Sequence, residues 1–182
     1  MNEMELREAF VRKRLQRLLT AKHQIFHEFA LGNGSARIDT LVISSILHGY
    51  ELKSDRDSLE RLPDQARIYS AMLDKVTLVT SYHHALEAIE IIPPWWGVTL
   101  AHEGQRGAVH FGAARSPRQN PNVNGKALVE LLWRGEALNL LSELGSDKGM
   151  RSKPRERIYQ RLADVAGVAS VREAVIKQLR AR

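Results

Sequence analysis

Hydrophobic residues recur along the chain with two different periods, and the change of period divides the chain into helices and strands. Residues 3–19 place apolar side chains at near-helical spacing among many charges, which predicts an amphipathic helix. The runs 23–31, 36–45 and 47–54 are rich in β-forming residues and are separated by a Gly-Asn-Gly-Ser segment and by a short turn. They predict a three-stranded meander.

The rest of the pattern predicts further helices and strands. A helix begins near Pro63, which suits a first helical turn, and runs to about Leu73. Residues 75–81 predict a strand that is buried on both faces. A short helix over 84–91, two paired strands over 97–102 and 108–113, and helices over 126–144, 154–163 and 170–180 follow. This order predicts an α/β fold with a mixed sheet, in which a basic helical extension (116–182) packs on a core (1–115).

The composition limits the class of protein. A chain of 182 residues suits one compact domain, and the absence of cysteine excludes disulfides and thiolate metal sites. No apolar run approaches the roughly 20 residues of a membrane span. The first ten residues are charged from the third position onward, unlike a signal peptide. We therefore expect a soluble cytoplasmic protein.

Positive charge concentrates in the second half of the chain. Residues 104–129 contain no Asp or Glu. Residues 146–182 contain ten basic and four acidic residues, a surplus equal to the net charge of +6 of the whole chain. A basic surface of this kind favours a polyanionic partner such as nucleic acid. The alternative is the solvated surface of ordinary helices.

Candidate chemistry lies on the second and third predicted strands. Side chains two residues apart share a face of a strand, so Glu51 and Lys53 lie together, as do Arg37 and Asp39. If the two strands are antiparallel neighbours, Asp39 lies close to Glu51. Two carboxylates and a lysine are costly to bury unless they bind a cation such as Mg²⁺. The alternative is a half-solvated strand face with a cross-strand Lys–Glu pair.

These residues resemble a known motif. Asp39, followed a dozen residues later by Glu51-Leu52-Lys53, resembles the PD-(D/E)XK nuclease superfamily, and Gln65 with Tyr69 resembles its Gln-x-x-x-Tyr helix element. Over residues 25–100 the chain is also similar to a bacterial and phage family of nucleases, the sce-locus family.

The resemblance implies a restriction-endonuclease-like αβββαβ core that holds Mg²⁺ or Mn²⁺. It implies Asp39, Glu51 and the Leu52 carbonyl as metal ligands, Lys53 as the catalytic lysine, and a catalytic role for Gln65. An upstream acid is a further ligand in many members, and Glu28 is our candidate for it. Glu5 and Glu8 compete for that role because the superfamily usually places this acid on the first helix.

The leading hypothesis is a metal-dependent nuclease that hydrolyses phosphodiester bonds, with DNA favoured over RNA. The expected nucleic-acid contacts are Arg37, Arg61, Tyr69, Arg115 and Arg118. A second hypothesis is a nucleic-acid- or partner-binding module on a nuclease fold, inactive without a partner. A homodimer formed through the C-terminal helices, or an activating protein partner, is compatible with either hypothesis.

Overall fold

One mixed sheet of six strands organises the molecule. The computed structural model describes residues 1–19 and 23–182. The strands are β1 (Gln24–Leu31), β2 (Ala36–Ile43), β3 (Leu47–Lys53), β4 (Lys75–Ser81), β5 (Gly97–Glu103) and β6 (Val109–Arg115), and they lie side by side in chain order. β1, β2 and β3 form an antiparallel meander, β3, β4 and β5 are parallel, and β6 returns antiparallel to β5. The predicted mixed sheet and its meander are confirmed.

Helices cover both faces of the sheet. They are α1 (Glu3–Phe10), which continues as a π-helical turn and a 3₁₀ turn to Leu18, α2 (Leu62–Met72), α3 (Tyr82–Ile91), α4 (Gly125–Leu128), α5 (Arg134–Glu143), α6 (Arg155–Val165) and α7 (Val168–Arg180). The N-terminal half thus has the αβββαβ order that was expected. No helix of the described residues is both long enough and apolar enough to cross a membrane.

The two faces of the sheet bury separate apolar clusters. On one face Leu6 and Phe10 of α1 pack with Val42, Leu52 and Val79 of the central strands. On the other face α2, α3 and the C-terminal helices share one larger cluster with the sheet. β4 contributes to both clusters and is therefore buried on both faces, as predicted.

The C-terminal helices are fastened to the sheet by a buried carboxylate. Asp74 is 1% exposed, and its side chain accepts from the Leu47 N–H at 2.9 Å and pairs with Arg172 of α7 at 2.7 Å. Removing one partner of a buried ion pair leaves an uncompensated charge, so this contact stabilises the packing of α7 near the start of β3. The proposed boundary between residues 115 and 116 stays a prediction.

The prediction of one helix over 126–144 is wrong. The chain forms α4 and a 3₁₀ turn, and then Leu132 and Trp133 are extended before α5 begins. Two contacts stabilise this break. The Tyr159 hydroxyl, from outside the segment, donates to the Leu132 carbonyl, and within the segment the Glu136 carboxylate accepts from the Trp133 N–H at the start of α5. The apolar spacing continues through the break, so spacing alone does not reveal it.

Gly49 of β3 is expected to be intolerant of a side chain. A Cβ atom there would lie 2.6 Å from a Leu73 methyl and 2.7 Å from an Ile38 methyl, both in the buried cluster. We expect Gly49→Ala to lower the free energy of unfolding by about 1–3 kcal/mol through overpacking, measured by urea denaturation. Gly112→Ala is the matched control, because a Cβ there meets nothing within 4 Å. Equal stability of the two variants would contradict the expectation.

Candidate active site

A buried carboxylate lies at the centre of the candidate site. Glu51 of β3 is 2% exposed, and Lys53, two residues later on the same face, is 3% exposed. The Lys53 Nζ lies 3.0 Å from Glu51 Oε1. β3 is flanked by β2 and β4 on its two sides, so both side chains project from the middle of the sheet. The face shared by Glu51 and Lys53 is therefore confirmed, and it is not a solvated strand face.

Helix α2 holds Glu51 from the opposite side. Gln65 Nε2 donates to Glu51 Oε1 at 2.7 Å, and the Tyr69 hydroxyl lies 2.9 Å from Glu51 Oε2. The two residues are four apart and so lie on one face of the helix. The Tyr69 hydroxyl also lies 2.8 Å from the Arg37 carbonyl, yet it has a single proton to donate. When Glu51 is protonated, it can donate to Tyr69 while Tyr69 donates to the carbonyl.

The protonation of Glu51 is shifted by its surroundings. Burial, and after it the neighbouring Asp39 carboxylate, raise the pKa of Glu51 to about 7, against the opposing effect of Lys53. Burial likewise raises the pKa of Asp39, against the opposing effects of the Leu52 N–H and Arg7. The two carboxylates are thus close enough to interact, as the antiparallel strands predicted.

Asp39 interrupts the sheet where it faces the site. Pairing of β1 with β2 passes from His27–Thr40 to Phe29–Ile38, and pairing of β2 with β3 ends at Thr40–Tyr50. Asp39 Oδ2 accepts from the Leu52 N–H at 2.7 Å. A carboxylate therefore takes the place of a ladder hydrogen bond at this point. The role of the Leu52 carbonyl as a metal ligand stays a prediction.

Arg7 of α1 is a site residue that the sequence did not reveal. One of its amino groups lies 2.7 Å from Asp39 Oδ1 and 3.1 Å from a Glu3 carboxylate oxygen, and the other bonds Glu28. Nothing in a charged amphipathic helix distinguishes one arginine from its neighbours, so no sequence signal identified Arg7 or Glu3. Both depend on how α1 crosses the sheet.

Glu28, the predicted upstream ligand, is held by two arginines. Its backbone φ of 52° is one that few residues other than glycine adopt, and the irregularity falls where the β1–β2 pairing is broken. Its carboxylate bonds Arg7 and lies 2.7 Å from Arg37 Nε. Of the competing acids, Glu5 accepts from the Asn2 N–H as part of a helix cap, and Glu8 is exposed. The upstream ligand stays a prediction.

A cleft of about 560 Å³ opens onto these residues. It is lined by six acidic side chains (Glu3, Glu28, Asp39, Glu51, Asp57 and Asp64) and four basic ones (Arg7, Arg37, Lys53 and Arg61). Arg61 is exposed at the start of α2 and forms no ion pair with any described residue. The cleft therefore carries two more acidic than basic side chains, although the chain as a whole is basic.

Three of the predicted nucleic-acid contacts have other partners. Tyr69 is 0% exposed, so it has no surface to offer a nucleic acid, and it acts on Glu51. Arg115 Nε donates to the Trp96 carbonyl at 2.7 Å, and Arg118 donates to the Pro94 carbonyl at 3.2 Å. Both arginines thereby hold the turn before β5 and do not line the cleft. Spacing and charge could not show this because the acceptors are backbone carbonyls.

The residues of the cleft fit a divalent cation of the Mg²⁺ type. Mg²⁺ is commonly bound by one or two carboxylates together with water. Asp39 and Glu51 supply such a pair, although no three His, Asp or Glu side chains within residues 1–19 and 23–182 form a group that could hold a metal ion. Gln65 Oε1 is buried and has no hydrogen-bond partner, which leaves an acceptor beside the carboxylates for a metal-bound water. A cation would replace Arg7 at Asp39.

The raised pKa of Glu51 predicts a pH-dependent stability. A carboxyl group whose pKa is higher in the folded state than in the unfolded state stabilises the fold. This contribution is complete below the pKa of the unfolded state, about 4.5, and is lost as the pH rises through the pKa of the folded state, about 7. Glu51→Gln removes the effect. At about 1.4 kcal/mol per pKa unit, we expect the stability of Glu51→Gln relative to the parent protein to increase by roughly 2–3 kcal/mol between pH 4.5 and 8.

Urea denaturation in EDTA at several pH values measures this difference. Glu60→Gln, which removes an exposed carboxylate, is the control. A Glu51→Gln curve parallel to that of the parent protein would show that Glu51 does not carry the shift.

Comparison with known proteins identifies the family of the chain. The family described as Bacteriophage P4 protein cII matches residues 1–182. Protein cII of Enterobacteria phage P4 is 24% identical over 182 residues, which is all of this chain and 68% of that protein. A solved structure of SfsA from Pyrococcus furiosus in complex with Ca²⁺ is 17% identical, with a TM-score of 0.35 over 57% of this chain and 58% of that one. The chain thus spans less than two thirds of SfsA, and a likeness this weak supports no argument.

The matching family differs from the sce-locus family suggested by residues 25–100, and that assignment is corrected. The match extends over every element described above, from α1 to α7. The chain belongs to the bacteriophage P4 protein cII family.

Proposed function

We propose that the chain is a metal-dependent nuclease that hydrolyses phosphodiester bonds, with DNA as the favoured substrate. The observation that carries the proposal is the buried pair of Glu51 and Lys53 beside the half-buried Asp39, in a cleft with a surplus of two acidic side chains. A surplus of that size matches the charge of one divalent cation. The resemblance of the same residues to the PD-(D/E)XK motif supports the same chemistry.

Each side chain of the group has a distinct role in this proposal. Asp39, Glu51 and the Leu52 carbonyl would hold Mg²⁺ or Mn²⁺, which would supply a Lewis acid and a bound water of lowered pKa. Gln65 orients Glu51 through its hydrogen bond of 2.7 Å. Lys53 stabilises negative charge that develops on the phosphate, because a buried cation interacts strongly with a nearby anion.

In the proposed mechanism Arg7 has different binding partners without and with metal. Without metal it forms ion pairs with Asp39, Glu3 and Glu28, which otherwise repel one another. A cation held at Asp39 would take over that contact, and the Arg7 amino group that bonds Asp39 would then be able to donate to a substrate phosphate. Exposed Arg61, at the start of α2, provides a second phosphate contact in the cleft.

A binding module on a nuclease fold is the second candidate. It is favoured by one observation: every carboxylate oxygen of Asp39 and Glu51 already has a hydrogen-bond or ion-pair partner within the protein. Such a site is satisfied without metal, and an activating protein partner would then be required. Metal titration separates the two candidates, because a binding module is indifferent to Mn²⁺.

A nuclease assay tests the leading proposal. Plasmid, single-stranded DNA and RNA are incubated with Mg²⁺, with Mn²⁺ and with EDTA. We expect cleavage only with metal, and a loss of at least about 10²-fold in Lys53→Met, which keeps most of the length of the side chain and removes the charge. Circular dichroism verifies that the variant is folded. Cleavage in EDTA, or an active Lys53→Met, would contradict the proposal.

Arg7→Gln tests the exchange between arginine and metal. Because Arg7 competes with a cation for Asp39, we expect the variant to bind Mn²⁺ several-fold more tightly in calorimetric titration while cleaving DNA at least about tenfold more slowly. Arg12→Gln is the matched control, an exposed arginine just beyond α1. If Arg7 only fixed the position of Asp39, Mn²⁺ affinity would fall together with activity.

A further inference from the structure

A second cleft adjoins the candidate active site on the far side of the β1–β2 turn. It has a volume of about 400 Å³ and shares Ala30 and Gly34 with the catalytic cleft. The turn between them is tight, because Gly32, Asn33 and Gly34 all adopt positive φ. A Cβ atom on Gly34 would meet nothing within 4 Å. The two clefts therefore meet at Ala30 and Gly34, where no side chain extends beyond Cβ, and together they are called the groove below.

An exposed tryptophan stands in the second cleft. Trp133 is 64% exposed, and the Arg182 guanidinium carbon lies 4.2 Å from its ring centroid. Arg182 is itself held by Glu136 at 2.7 Å, and Glu136 also accepts from the Trp133 N–H at 2.6 Å. The indole is thus supported from one side by a fixed cation, while most of its surface remains open to solvent.

Charge in the second cleft differs from that in the first. Arg155 and Arg182 line it, against the single acidic residue Glu130. Arg155 donates to Asn33 Oδ1 at 2.8 Å and lies over the Tyr159 ring at 4.8 Å, contacts that leave its charge without a carboxylate partner among the described residues. The lining of the groove therefore changes from a surplus of two acidic side chains in the first cleft to a surplus of one basic side chain beside an exposed aromatic ring in the second.

We infer that the second cleft binds a single strand of DNA that continues into the catalytic cleft, with a base stacked on Trp133 and the backbone beside Arg155. This rests on the proposed nuclease function. An open aromatic face next to an arginine is the arrangement on which unpaired bases stack, and the bases of a duplex are not available to it. The choice of DNA over RNA follows from the proposed function.

Binding of a fluorescein-labelled 20-nucleotide DNA strand in EDTA tests the inference without requiring cleavage. We expect Trp133→Ala to weaken binding about tenfold and Trp133→Phe to retain most of the affinity. The affinity for duplex DNA of the same sequence is expected to be unchanged in both variants. Tyr82→Ala, which removes an aromatic side chain of the same 64% exposure at another surface, is the control. Trp95 is half-buried and Trp96 fully buried, so quenching of tryptophan fluorescence by unlabelled strand is expected to disappear in Trp133→Phe.

The outcomes separate this inference from the proposed function. Single-strand binding through Trp133 by a protein that cleaves nothing supports the groove and contradicts the nuclease. Metal-dependent cleavage by a protein whose affinity is unchanged in Trp133→Ala supports the nuclease and overturns the groove. Tighter binding of an RNA strand of the same sequence overturns the assignment to DNA.

Discussion

The buried Glu51 carboxylate is the constraint on which the arrangement of the site depends. A carboxylate that is almost fully removed from water is tolerated only when charged or hydrogen-bonding partners compensate for its lost hydration. Lys53 supplies the charge, while Gln65 and Tyr69 supply the hydrogen-bonding groups. These partners fix the position of α2 over β3, and they leave a group whose pKa, about 7, lies near the range in which enzymes use proton transfer.

The sheet brings its two covering layers together at this carboxylate. α1 packs on one face and contributes Arg7, whereas α2 packs on the other and contributes Gln65 and Tyr69. The sheet is irregular at this point, since Asp39 leaves the ladder and Glu28 adopts a positive φ beside it. The irregularity costs ladder hydrogen bonds, and the Asp39 contacts with Leu52 and Arg7 offset part of that loss.

Several basic side chains stabilise the fold, although their clustering in the sequence suggested a surface for a polyanionic partner. Arg172 fastens α7 to Asp74, Arg182 pairs with Glu136, and Arg115 and Arg118 hold backbone carbonyls of the turn before β5. A count of charged residues in the sequence treats all of these side chains as free surface charges. Two basic side chains, Arg61 in the catalytic cleft and Arg155 in the adjoining one, have no carboxylate partner among the described residues, and each lines a cleft in a position to meet a phosphate.

Local pattern was enough to determine the strands, the order of the N-terminal elements and the shared face of Glu51 and Lys53, because alternation along a strand and spacing along a helix are properties of neighbouring residues. Gln65 and Tyr69, which lie four apart on α2, were found through the resemblance to the Gln-x-x-x-Tyr element and not from local spacing. Tertiary structure alone decided that Arg7 reaches Asp39, that Tyr69 is buried, and that the chain breaks at Leu132 and Trp133. Each of these depends on a contact between segments far apart in the chain, and no local spacing records which distant partner a side chain will meet.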